Sequence, residues 1–183
     1  PAVIAWRTLR WSDVSTAASR GFSRSGVVFG LSTGVLVGGI MLGGWWGGLR
    51  EALDLTRLSE VVAGNGLNER MPYLLAVIWL SLGNSLLEEF VFRWFVDTRL
   101  ARLGVRGIPI FLISAAIFTA HHIFVLGAYF DLAPTIVFSL GVFTGGFAWS
   151  WSRSRWESIV PGWISHAMVD GAIFLVGWQM LFG

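Results

Sequence analysis

Charge is absent from five long stretches of the chain, and each is long enough to cross a bilayer, which takes about 20 mostly apolar residues. Residues 25–49 carry no Asp, Glu or Arg. Residues 71–87 are charge-free and run on through Glu88, Glu89 and Arg93 to Val96. Residues 107–130 and 132–152 also lack charge, and residues 158–183 are interrupted only by Asp170. The pattern predicts five membrane-spanning helices. Apart from Pro1, every proline (Pro72, Pro109, Pro134, Pro161) falls near the start of a proposed span. There its missing N–H costs little and its fixed φ suits a helix start. The alternating short strands of a membrane barrel are not visible. The expected fold class is therefore all-α, a polytopic transmembrane bundle.

Composition sharpens this. Of the 183 residues, 55% are hydrophobic and 13% charged, with 13 Arg, no Lys and 11 acidic residues. A soluble domain carries about 25% charge. Mean hydropathy is +0.68. Disorder is excluded by the same figures. A nucleic-acid reader is excluded too, because the net charge is only +2 and no basic stripe is present. The absence of Cys removes disulfides, thiolate nucleophiles and Cys-bound metals. No cleavable signal peptide is visible.

Arginine placement sets the expected orientation. Arg7, Arg10, Arg20, Arg24, Arg99, Arg102, Arg106, Arg153 and Arg155 fall on one side of the five spans. Arg50, Arg57 and Arg70 fall on the other, among Glu51, Asp54, Glu60 and Glu69. The positive-inside rule puts the N-terminus in the cytoplasm and the C-terminus outside the cell membrane.

Three regions emerge: a basic cytoplasmic segment at 1–24, a glycine-rich first span with an interfacial amphipathic segment at 25–70, and a four-span core at 71–183. Residues 49–62 set Leu49, Leu53, Leu55, Leu58, Val61 and Val62 among charges, as an interfacial helix does. Gly26, Gly30, Gly34 and Gly38 recur every four residues, and Gly39, Gly43 and Gly47 repeat the pattern. Small residues at that spacing let helices touch backbone to backbone, within the chain or across a homodimer seam. The tryptophans, such as Trp45, Trp46, Trp94 and Trp151, sit mostly near span ends, as an interfacial belt.

Ionisable groups inside a span are expensive and mark function by default. Here they are Glu88, Glu89, Arg93, His121, His122, His166 and Asp170. Positions four apart share a helix face. Glu89 and Arg93 form such a pair, so an ion pair is expected. Glu88 lies about 100° away, with Asn84 on its own face. His166 shares a face with Asp170, and His122 with Phe118, while His121 points elsewhere. At 1.5 Å per residue, Glu88 lies about 12 Å from the cytoplasmic edge, His166 about 14 Å, and Asp170 and His122 about 20 Å. Three helices can thus bring these groups into one cavity, opening toward the cytoplasm.

Glu88-Glu89-x-x-x-Arg93, Phe118-x-x-x-His122 and His166-x-x-x-Asp170, in this order on successive spans, resemble the CAAX-protease and bacteriocin-processing (CPBP, Abi) family. Ser114-Ala-Ala-Ile-Phe-Thr-Ala-His-His122 is similar to its second motif. Gly146-Phe-Ala-Trp-Ser-Trp-Ser-Arg153 is similar to the helix before its last one. The likeness covers residues 79–172. It implies an intramembrane glutamic endopeptidase acting on a membrane-associated or lipid-modified peptide or protein. On that resemblance Glu88 is the base that activates water, His122 helps hold the water, and His166 and Asp170 stabilise the oxyanion. Glu89 and Arg93 shape the first motif. Asp170 stands where the motif takes Asn or Asp, and an ionised carboxylate cannot donate a hydrogen bond. Asp170 is therefore expected either to be protonated in its apolar site or, as the favoured reading, to orient His166 through the ring's other nitrogen. No metal or cofactor is required. The alternatives are a zinc peptidase, although the HExxH spacing is missing, and a non-catalytic immunity or transport protein using the same cavity.

Overall fold

A computed structural model describes residues 22–183. The basic segment at 1–24, with Arg7, Arg10 and Arg20, lies almost wholly outside the described residues. Six helices follow: α1 (Arg24–Ala52), α2 (Thr56–Gly64), α3 (Arg70–Arg102), α4 (Ile108–Tyr129), α5 (Leu132–Trp156) and α6 (Val160–Phe182). All but α2 are long and apolar enough to span a membrane. No strand occurs among the described residues. The chain is a multi-pass membrane protein, with the five spans where the charge-free runs lie. Pro109 and Pro161 each occupy the second position of their helix.

The segment at 49–62 is not one interfacial helix. α1 continues to Ala52, kinked at Gly48 (φ +126°), and Leu53 is extended. Asp54 Oδ1 then accepts from the Thr56 N–H (3.0 Å) and restarts the chain as the amphipathic α2. That bond holds the Asp54 carboxyl below its ordinary range.

α1 packs chiefly on α6, and α4 on α5; α6 also touches α3 and α5. The four-residue glycine ladder is the α1–α6 contact. Gly26, Gly30, Gly34 and Gly38 are buried. A methyl group at Gly30 would lie 2.7 Å from Pro161 O, and one at Gly34 2.8 Å from Met168 Cβ. This face is occupied within the chain, which is the first of the two packings that the sequence allows. Thr33 Oγ1 donates to Ser165 Oγ (3.0 Å) in the same seam.

α3 is not a uniform α-helix. Residues 79–84 and 89–96 are wound with wider, π-type turns, and Glu88 sits between them. Such turns loosen the regular backbone ladder, and a bilayer supplies no water to bond what is freed. Neighbouring side chains do so instead. Trp163 Nε1 of α6 donates to Leu82 O (3.1 Å), and Ser114 Oγ of α4 donates to Phe92 O (3.3 Å).

Candidate active site

α3 presents Asn84, Glu88, Glu89, Arg93 and Asp97 within little more than three turns. Asn84 Nδ2 donates to Glu88 Oε1 (3.0 Å), as their shared face predicts. Glu89 and Arg93 are both fully buried, and Arg93 Nε lies 3.6 Å from Glu89 Oε1. No guanidinium nitrogen of Arg93 has a hydrogen-bond partner. Aromatic faces surround the cation instead: Phe118 at 4.4 Å, Trp149 at 5.6 Å and Phe92 at 5.8 Å. Such contacts stabilise a desolvated cation by about 2 kcal/mol.

α6 delivers His166, which is buried. Its Nδ1 lies 3.2 Å from Glu89 Oε1. Its Nε2 lies 3.5 Å from Glu88 Oε2 and 3.7 Å from Asp170 Oδ1. Two consecutive carboxylates of α3 therefore grip the two nitrogens of one imidazole. Glu88 and Glu89 lie on separate faces by helix arithmetic, but the ring is wide enough to meet both. Asp170 does not stand at the ring's other nitrogen. It stands at the same nitrogen as Glu88, and the other nitrogen belongs to Glu89. The second nitrogen faces Glu89, the residue expected in the ion pair with Arg93.

α4 delivers His122. Its Nδ1 is 3.1 Å from Phe118 O, a carbonyl that can only accept, so Nδ1 carries the proton. When the ring is neutral, its lone pair is then on Nε2. Glu88 and His166 are both within electrostatic range of His122. The Phe118 ring fills the angle between the two histidines, 4.3 Å from His122 and 5.8 Å from His166. His121 is exposed, with its ring edge-on to His122 at 5.2 Å. Among the described residues, no three His, Asp or Glu side chains gather as a metal-ligand cluster.

Two buried residues were missed from sequence. Trp149 of α5 stacks on the His166 ring, with centroids 4.1 Å apart and planes 15° apart. The interfacial-belt reading of tryptophan concealed it. Asp97 is buried beside Ser150, whose Oγ lies 3.5 Å from Asp97 Oδ1. Its signal was available, because it continues the four-residue series Glu89, Arg93, Asp97.

The arrangement has the parts of a hydrolytic site. Glu88 remains partly accessible (15%), as does Asp170 (20%), while the groups behind them are sealed. A partly accessible carboxylate beside an imidazole, backed by a buried ion pair, can hold water and move its proton. No curated protein and no solved structure matches the chain. The family model for Rce1-like type II CAAX prenyl endopeptidases matches residues 70–172, which begins with α3 and ends just after Asp170. The match takes in every residue of the cluster just described and more than half of the chain, so the protein belongs to the Rce1-like type II CAAX prenyl endopeptidase family.

Proposed function

We propose that the protein is an intramembrane glutamic endopeptidase, with Glu88 as the base. The observation that carries the proposal is the meeting of the partly accessible Glu88 Oε2 with His166 Nε2 at 3.5 Å, backed by the fully buried Glu89. Water entering beside Glu88 is held between the carboxylate and Nε2 of His122. Glu88 takes one proton as the oxygen attacks the scissile carbonyl. Asn84 holds the Glu88 carboxylate through the hydrogen bond to Oε1. With Nδ1–H given to Glu89, a second proton on Nε2 makes His166 a cationic donor for the oxyanion. Such a donor is worth about 3–4 kcal/mol in the transition state. Asp170 stands beside that nitrogen and holds its proton toward the cleft. Glu88 then returns its proton to the leaving amine.

The proposed substrate is a membrane-associated or lipid-modified peptide, reaching a cleft among spanning helices. The proposed setting is the cell membrane, with the N-terminus cytoplasmic and the C-terminus outside, on the arginine bias of nine against three. The test is a cleavage screen in proteoliposomes with peptides that do and do not carry a C-terminal lipidated cysteine. Wild type should cut at least one of them, and Glu88→Gln should cut none while remaining folded. A Glu88→Gln protein as active as wild type would remove the proposed base.

A further inference from the structure

The side chains that touch His166 divide into two kinds. Glu88, Glu89 and Asp170 meet the edge of the ring through its nitrogens. Trp149 meets its face. An edge contact at Nδ1 fixes one point of the imidazole and leaves it free to swing about that point. A flat, buried surface pressed on the ring fixes the plane. With Nδ1 held by Glu89 and the plane held by Trp149, Nε2 has one direction left, between Glu88 and Asp170.

The support of the indole points the same way. Trp149 is buried, and the Phe118 ring stands nearly perpendicular to it, with centroids 6.0 Å apart. Gly162 lies one turn before His166 on α6. A methyl group there would lie 2.7 Å from Glu89 Oε2 and 3.3 Å from Trp149 Cβ. The bare backbone at 162 leaves room for both groups that hold His166, one at its edge and one at its face. α5 supplies none of the ionisable residues around the ring, yet through Trp149 it reaches the ring itself.

We propose that Trp149 is a positioning residue for the endopeptidase reaction: its indole sets the plane of the His166 ring and so aims Nε2 at the oxyanion. The inference rests on the role given to His166 above. It predicts a loss confined to the transition state, because the oxyanion that Nε2 is to meet forms only there. Misplacing a catalytic group by about 1 Å costs about 100-fold.

The test combines kinetics with a signal that needs no turnover. Trp149→Leu should lower kcat about 100-fold on a cleaved peptide and leave KM within about twofold. Trp149→Phe keeps an aromatic face and should recover most of that loss. The chain has only three histidines, so histidine-selective labelling gives three ring signals by NMR in detergent. His166→Asn identifies the one from His166. Its ring protons, stacked on the indole, should be shifted upfield in wild type, partly in Trp149→Phe, and not in Trp149→Leu. Unfolded Trp149→Leu would leave the same two readouts to Trp149→Phe, which should be intermediate in both. Wild-type kcat in Trp149→Leu, or a His166 signal indifferent to both substitutions, overturns the proposal. An activity loss that Trp149→Phe does not relieve overturns it as well. If wild type cleaves nothing, the protease reading fails on that count alone, and the NMR signal still decides whether Trp149 holds the ring.

Discussion

Replacing Glu89 by Gln should destabilise the protein sharply without opening a cavity. Gln has nearly the same volume, and its amide oxygen still accepts from His166 Nδ1, so the perturbation is the lost charge. Glu89 and Arg93 are both 0% exposed. Removing one member of a buried ion pair costs about 3–5 kcal/mol, because the other charge is left uncompensated. Arg93 has no hydrogen bond to fall back on. Its contacts with Phe118, Trp149 and Phe92 exist before and after the change, so they do not reduce the difference. A loss of about 4 kcal/mol, at about 2–4 °C per kcal/mol for a chain of this size, lowers Tm by about 8–16 °C. Thermal unfolding in a mild detergent, followed by tryptophan fluorescence, measures it. The double variant Glu89→Gln/Arg93→Met removes both charges and should recover most of the stability. A Glu89→Gln protein melting within about 2 °C of wild type would refute the reasoning. So would a double variant no more stable than the single one.

His166→Ala and His122→Ala should each lose several orders of magnitude in kcat while staying folded, and His121→Ala should lose little, since its ring is exposed; equal losses at all three, in peptide cleavage, would contradict the site. Gly34→Leu should push α1 off α6, because even a methyl group there meets Met168 at 2.8 Å, and unchanged thermal stability would show that the seam yields freely. Topology reporters at Gly183 and within residues 99–106 should report outside and inside respectively; an externally active reporter at 99–106 would reverse the orientation.

The spans were legible because a bilayer imposes a crude rule, and charge-free length alone satisfies it. The Glu89–Arg93 and Asn84–Glu88 pairs were legible too, since each is a neighbour on one helix. What the sequence hid lies between helices. Helix arithmetic separates Glu88 from Glu89 by about 100°, and only the width of an imidazole arriving from α6 reunites them. The partner of each His166 nitrogen is likewise a tertiary fact, so Asp170 was given the nitrogen that Glu89 holds. Trp149 has the composition signature of a belt residue, and nothing in a single helix distinguishes a tryptophan facing headgroups from one lying on a histidine. The wide turns in α3 leave no compositional mark beyond Gly83 and Asn84.

The seam between α1 and α6 makes likeness and dependence fall on different boundaries. The family match starts at residue 70, well after α1 ends. Yet α1 grips α6 through Gly30, Gly34 and Gly38, and bonds to Ser165, the residue immediately before His166. The matched part of the molecule therefore shares its last helix with a segment outside the match. Its last helix is braced on one side by a segment that the match does not include. A graft of residues 70–172 alone would therefore leave α6 without the α1 contacts at Gly30, Gly34 and Gly38.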